Sequence, residues 1–68
     1  MSEIRRLREE RGWSMSRLAR EAGVTHRSVS HWERDGVANM RLACAIRVAE
    51  ALEVSVYDLV EGERGRWR

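Results

Sequence analysis

Apolar residues recur along the chain at three- and four-residue intervals, the spacing that places side chains on one face of a helix. Leu18 and Ala22 show this spacing in residues 15–22, and a longer apolar face runs from Leu42 to Leu52. No segment has the strict alternation of a half-buried strand. The pattern therefore predicts five helices: residues 3–11, 15–22 and 26–34, a longer fourth helix that follows Asn39 and contains the apolar stripe from Leu42 to Leu52, and a last helix near 56–61.

Small polar residues and glycines mark the ends of these helices, since the chain contains no proline. A side-chain oxygen at the N-cap satisfies free amides, and glycine tolerates the left-handed conformation beyond the last turn. The predicted N-caps are Ser14, Thr25, Asn39 and Ser55, the last in a capping box with Asp58, and the predicted stops are Gly12 and Gly23. The fourth helix should be the central core element, because its apolar stripe is the broadest: Leu42, Ala45, Ile46, Val48, Ala49 and Leu52.

The third predicted helix has a narrow apolar face and a broad polar one. Val29 and Trp32 lie three residues apart and can face the core. Four polar side chains can donate to base-edge acceptors in a major groove, namely His26, Arg27, Ser30 and His31. Three more can reach phosphates, namely Thr25, Ser28 and Arg34. A merely solvated face is the alternative, but Glu33 is its only acid and the start of the preceding helix offers free amides to an anion. The pattern favours DNA contact.

Residues 15–34 combine a short helix, a tight turn centred on Gly23 and a second short helix. This is the arrangement of a helix-turn-helix. Ala19 and Ala22 are small enough to let the two helices approach closely. The second helix can then project its polar face outward.

The 68 residues suffice for one domain, and 43% hydrophobic with 35% charged residues indicates a globular chain. The formal charge is +2, and all thirteen basic residues are arginine. Arginine suits phosphates and guanine edges. A GC-rich genome explains the absence of lysine equally well, so the distribution of the arginines matters more than their number.

Several classes of function have no support in the sequence. Cys44 cannot form an internal disulfide, and no stretch approaches the roughly 18 apolar residues of a membrane span, so we expect a cytoplasmic protein without a membrane partner. His26 and His31 lie five apart and off one helical face, which argues against a zinc site. No nucleophile and base recur at a useful spacing. We therefore expect no enzyme, metal, cofactor or small-molecule ligand.

Four short motifs follow one another in residues 4–60. They are Ile4-x-x-Leu7-Arg8-Glu9-Glu10-Arg11-Gly12-Trp13-Ser14, Leu18-Ala19-x-x-Ala22-Gly23-Val24-Thr25, Val29-Ser30-x-Trp32-Glu33 and Ala49-x-Ala51-Leu52-x-Val54-Ser55. In their joint spacing they resemble the phage repressor/Cro helix-turn-helix family of transcriptional regulators. The resemblance implies a compact all-α five-helix bundle that binds duplex operator DNA in a sequence-specific manner.

The resemblance also implies which residues touch DNA. Bases would be read by His26, Arg27 and His31, with Ser30 close by. The DNA backbone would be held at the start of the second helix by Ser14 and the amide of Met15, and Arg17, where an acid is common, makes this helix friendlier to DNA. The loop after the third helix would touch phosphates through Arg34, Asn39 and Arg41.

Two further expectations come from the same resemblance. Arg8 and Glu33 would form a largely buried ion pair that ties the first helix to the third. Glu53 stands at a position where glycine usually ends the fourth helix, which predicts a strained or differently built turn. Trp13 and Trp32 stand at apolar positions and are expected in the core.

Three apolar residues of the last helix remain without enough chain to cover them: Val56, Tyr57 and Val60. We expect them to join two copies, so that a homodimer binds a pseudo-palindromic operator. The alternative is that they cap the monomer's own core. Residues 1–61 would form the DNA-binding domain and residues 62–68 a short basic tail, either frayed or an interaction arm. A protein-interaction module or antitoxin on the same fold is the other functional interpretation, and a large apolar patch remote from the third helix would favour it.

Overall fold

Five α-helices follow one another in the computed structural model, which describes residues 3–37 and 40–61, with the backbone alone at Glu61. They are α1 Glu3–Glu10, α2 Met15–Ala22, α3 His26–Asp35, α4 Leu42–Leu52 and α5 Val56–Glu61. No strand occurs in these two ranges. The predicted all-α fold is confirmed, although α3 runs one residue beyond its predicted end and α1 stops one residue short. The predicted tail 62–68 lies outside the described residues.

The local signals at the helix ends act as the sequence predicts. The N-caps Ser14 and Thr25, the left-handed stop Gly23 and the capping box of Ser55 and Asp58 are all present. In the capping box, the Ser55 Oγ accepts from the Asp58 amide at 3.1 Å while the Asp58 carboxylate accepts from the Ser55 amide at 3.0 Å. Such reciprocal bonds satisfy two amides that the helix itself leaves free.

The predicted cap of the fourth helix is wrong. Because α4 begins at Leu42, the N-cap position belongs to Arg41, whose side chain makes no capping hydrogen bond. Asn39 stands two positions too early to fill this role and lies outside the described residues. The first turn of α4 therefore starts beside a guanidinium rather than beside a capping oxygen.

The core lies where the five helices meet. Each helix contributes one side chain that is almost completely buried: Ile4, Leu18, Val29, Val48 and Leu59. Helix α2 packs against α3 and α4, while α1 packs against α3 and α5, and α4 also packs against α5. This packing buries Val29 and Trp32 of α3, while His26, Arg27, His31 and Arg34 of the same helix remain exposed.

Two residues of the predicted core stripe in α4 are exposed. Leu42 has 70% and Ile46 has 42% of its surface accessible, whereas Ala45 and Val48 are buried. Ile46 is turned about 100° around the helix from Ala45. Leu42 is the first residue of α4, at the edge of the bundle. The buried stripe is therefore narrower than the sequence pattern predicts, and an apolar surface remains on α4.

The turn after α4 contains the expected strain. Glu53 adopts φ of 58°, the only non-glycine residue with positive φ in the described ranges. The left-handed conformation costs a non-glycine residue roughly 1–2 kcal/mol. Arg11 stabilises this turn, since its guanidinium pairs with the Glu53 carboxylate and its Nε donates to the Leu52 carbonyl at 3.3 Å.

The two tryptophans of the described ranges differ in burial. Trp32 is buried in the core, as predicted. Trp13 is only partly buried, although it packs against the core. The guanidinium carbons of Arg11 and Arg17 lie 5.1 and 4.9 Å from its ring centre, distances typical of cation–π contacts. Trp13 therefore lies at the margin of the core, with two arginines over its ring.

Candidate nucleic-acid interface

Helices α2 and α3 form a compact helix-turn-helix around Gly23. The chain reverses there with φ of 71°, and the Val24 amide donates to the Ala19 carbonyl at 3.0 Å. Ala19 and Ala22 are buried. Their small side chains allow α3 to cross close to α2, which leaves one side of α3 open.

The open side of α3 carries the residues that the sequence predicts for base reading. His26, Arg27 and His31 are exposed and Ser30 is half-buried. A shallow groove in this surface is lined by α3 side chains alone: Arg27, Ser28, Ser30, His31, Trp32 and Arg34. The structure thus brings Arg27, Ser30 and His31 together in one groove, whereas His26, also exposed on α3, does not line it.

Arg27 differs from most of the arginines in its electrostatic surroundings. Six arginines form ion pairs with carboxylates: Arg5, Arg6, Arg8, Arg11, Arg17 and Arg34. Within residues 3–37 and 40–61, no carboxylate pairs with Arg27. Its guanidinium therefore has its full hydrogen-bonding capacity available to an external acceptor.

The predicted backbone contacts are less uniform. Arg17 pairs with Glu21 at 3.4 Å and Arg34 with Asp35 at 3.3 Å. A phosphate contact by either arginine must replace or share these exposed pairs, which are worth at most about 1 kcal/mol each. Arg41 is exposed and has no carboxylate partner in the described part of the chain.

The hydroxyl groups at the starts of α2 and α3 already take part in hydrogen bonds within the chain. The Ser14 Oγ accepts from the Arg17 amide at 3.0 Å, which leaves its hydrogen free for an external acceptor. The Thr25 hydroxyl accepts from the Ser28 amide and donates to the Ser28 Oγ at 2.9 Å. The hydrogen of the Ser28 hydroxyl is then the one that can point outward.

A second concavity lies between α1 and the helix-turn-helix. One of its lining residues, Arg5, was not among the residues that the sequence predicts for DNA contact. Its lining residues are Arg5, Arg8, Met15, Ser30, Glu33 and Arg34. Met15 and Arg34, both predicted to contact the DNA backbone, meet here beside Arg5. The signal was present in the sequence, since Arg5 precedes Arg8 by three residues and so lies on the same face of α1.

Arg8 and Glu33 hold α3 against α1. The Arg8 Nε and Nη2 donate to the two Glu33 carboxylate oxygens at 2.7 and 3.1 Å, and Nη1 donates to the Trp13 carbonyl at 2.6 Å. Only 11% of the Arg8 side chain and 8% of the Glu33 side chain are exposed. The hydrogen bonds to Glu33 raise the pKa of Arg8. This bidentate contact fixes the orientation of α3 relative to α1.

The three residues predicted for dimer contact have unequal exposure. Tyr57 is 62% exposed, whereas Val56 and Val60 are half-buried and pack against the core. An apolar groove adjoins them, lined by Val37, Met40, Leu42, Ala45, Val56, Leu59 and Val60. The exposed Leu42 and Ile46 extend this surface along α4. The sequence pattern placed both in the core, so their part in this surface was missed.

Two structural absences apply to the described part of the chain. No helix in residues 3–37 and 40–61 is long and apolar enough to cross a membrane. In the same ranges, no three side chains of the metal-binding types lie close enough together to hold an ion.

Comparison with known proteins gives the chain its relatives. A family model described as helix-turn-helix matches residues 4–59. The HTH-type transcriptional regulator SinR of Bacillus subtilis is 36% identical over 58 residues, which are 85% of this chain and 52% of that protein. A protein of Haloquadratum walsbyi, named as an HTH-type transcriptional regulatory protein, is 50% identical over 46 residues, 68% of this chain and 14% of that protein.

The chain therefore spans about half the length of SinR and much less of the Haloquadratum protein. No solved structure gives a significant match. The matched segment includes all but the first residue of α1, all of α2 to α4 and most of α5. The helix-turn-helix and the surface described above thus lie inside the matched region.

Proposed function

The chain belongs to the helix-turn-helix family of DNA-binding transcriptional regulators of the repressor/Cro type, which are not enzymes, and we propose that it binds operator DNA with α3 in the major groove. Base edges would be read by four side chains: His26, Arg27, Ser30 and His31. Bound protein would regulate transcription by occupying the site, either blocking the polymerase or recruiting it.

The observation that carries this proposal is the position of Arg27. Its guanidinium lies on the open groove of α3 and has no carboxylate partner in the described ranges. Arginine forms bidentate hydrogen bonds with the O6 and N7 atoms of guanine, the commonest specific contact in a major groove. Arg27 is therefore the residue that we propose reads a guanine.

Contacts to phosphates would fix the register of α3. The proposed set is Ser14, the Met15 amide, Arg17, Thr25, Ser28, Arg34 and Arg41, with Asn39 outside the described residues. Arg17 and Ser14 lie at the start of α2, and Arg41 lies at the start of α4. The proposed contacts therefore come from the start of α2, from α3 with its cap, and from the N-cap of α4.

A second copy of the chain is the proposed occupant of the apolar surface on α5 and α4. One recognition helix covers only about four or five base pairs, which buries too little surface for high affinity. Val56, Tyr57 and Val60, with the exposed Leu42 and Ile46 beside them, would join two copies about their two-fold axis. Two recognition helices about 34 Å apart then fit successive major grooves.

The same apolar surface also favours the rival function, a protein-interaction module. It lies on α4 and α5, which pack mainly against α2 and α1 rather than against α3. If the chain acts by binding a partner protein at this surface, its function does not require DNA binding. The salt dependence of binding to duplex DNA separates the two functions.

We expect the wild-type chain to bind a labelled random-sequence duplex at about 50 mM salt, with log K falling linearly as log salt rises. Each phosphate contact contributes about 0.9 to the slope. Arg41→Ala should lower the slope by about that amount. Arg47→Ala, which removes another exposed arginine of α4 outside the proposed interface, is the matched control and should leave the slope unchanged. Fluorescence anisotropy measures all three.

Absence of binding at low salt would refute the DNA-binding proposal and favour the interaction module. Equal slopes for the wild type and both variants would leave DNA binding intact but remove Arg41 from the backbone clamp. Circular dichroism of each variant shows whether it remains folded.

A further inference from the structure

Three charged or titratable residues follow one line along the open side of α3. Arg27, His31 and Asp35 are separated by four residues each, so their side chains are neighbours along the helix. The His31 Nδ1 lies 3.0 Å from the Asp35 Oδ2. Both side chains are about half-exposed, and His31 lines the groove in which the proposed base reading takes place.

The contact decides which ring nitrogen of His31 carries hydrogen. An ionised carboxylate can only accept hydrogen bonds, so the atom facing it must be an N–H. In the neutral imidazole the hydrogen is then on Nδ1, and Nε2 is an acceptor. In this tautomer, His31 presents Nε2 as a hydrogen-bond acceptor, not as a donor, to a group bound in the groove.

We infer that Asp35 is a positioning residue that makes neutral His31 select a base with an amino group on its major-groove edge. In that groove the amino donors are the N4 of cytosine and the N6 of adenine. The inference rests on the proposed function, in which α3 lies in the major groove. It assigns to His31 a preference for cytosine or adenine, where Arg27 prefers guanine.

The stability of α3 does not explain why an acidic residue stands at position 35. An acid in the last turn faces the negative end of the helix dipole, which is unfavourable by about 0.3–1 kcal/mol. Asp35 also pairs with Arg34 at 3.3 Å, but that pair lies between adjacent exposed residues. The charged groups facing His31 are Arg27, Arg34 and Asp35, all from α3, and no charged side chain of another described helix lines its groove.

The experiment selects bound duplexes from a random library at about pH 8. His31→Ala identifies the position that His31 reads. At that position the wild type should favour cytosine or adenine about fivefold, as one net hydrogen bond allows. Asp35→Ala should lose the preference at pH 8 while binding random DNA more tightly, since a negative charge near the phosphates is gone.

Glu21→Ala is the matched control, because Glu21 is an exposed acid in an i,i+4 pair with Arg17 outside α3. It should also tighten binding to random DNA but leave the selected motif unchanged. A wild-type preference for guanine at the His31 position at pH 8 would overturn the inference without any variant. So would an Asp35→Ala motif identical to the wild-type motif. If the wild type selects no motif at all, the proposed function itself fails.

Discussion

Replacement of Arg8 by alanine is expected to lower the free energy of unfolding by about 3–5 kcal/mol. Removing one partner of a buried ion pair leaves the other charge without compensation. Glu33 would keep a carboxylate that is only 8% exposed, and the Trp13 carbonyl would lose its donor. Because a domain of this size has few kcal/mol to lose, the variant should be close to unfolding at room temperature.

Arg6→Ala is the control for the loss of an arginine from α1. Arg6 pairs with Glu3 and Glu10 on the exposed side of that helix. Exposed pairs of this kind are worth about 0–1 kcal/mol. Thermal unfolding followed by circular dichroism should show the Tm of Arg8→Ala falling by about 12–40 °C and that of Arg6→Ala by a few degrees. Equal Tm values would mean that the Arg8 pair does not stabilise the fold.

Tyr57→Asp is expected to abolish cooperative binding to an operator with two half-sites while leaving the chain folded. The side chain is 62% exposed, so the carboxylate is solvated in the monomer, but it would be buried between two copies in the proposed dimer. Linking two half-sites through a dimer raises affinity by about 10²–10⁴ over one half-site. The variant should lose affinity of that order on the full operator and little on a single half-site.

Tyr57→Phe keeps the apolar contact and is the control, since it should bind the full operator cooperatively. Val56 and Val60 are less suitable positions, because both pack against the core and a charge there can unfold the monomer. Binding isotherms on the full operator and the half-site, with sedimentation at the same concentrations, measure the effect. Cooperative binding by Tyr57→Asp would place the dimer contact elsewhere or show that there is none.

Local signals in the sequence predict most of the fold. Ser14, Gly23 and the pair of Ser55 and Asp58 act on the turn in which they stand, so their effect can be read from neighbouring residues. Asn39 was a wrong prediction, since α4 begins at Leu42 and its N-cap position belongs to Arg41. Apolar spacing predicts which residues share one face of a helix, but it does not show which part of that face another helix covers.

Burial and pairing depend on where other helices lie, and the sequence pattern does not contain that information. Ile46 has the spacing of a core residue, yet 42% of its surface is exposed in the described part of the chain. Arg8 lies among exposed residues by pattern, and only the family resemblance suggested its pairing with Glu33. On the recognition surface, the sequence supplied His31 and Arg27 as donors, but the carboxylate beside His31 belongs to a residue that the predicted helix did not include.

The most direct test of base reading by α3 is the motif that Arg27→Ala selects from a random duplex library. The wild type should select two mirrored half-sites about 10 base pairs apart, with a guanine at one position of each. Arg27→Ala should lose that guanine, a discrimination of about 1–3 kcal/mol, and keep the other positions. Arg47→Ala should select the wild-type motif. An Arg27→Ala motif that retains the guanine would contradict the assignment of α3 as the base-reading helix.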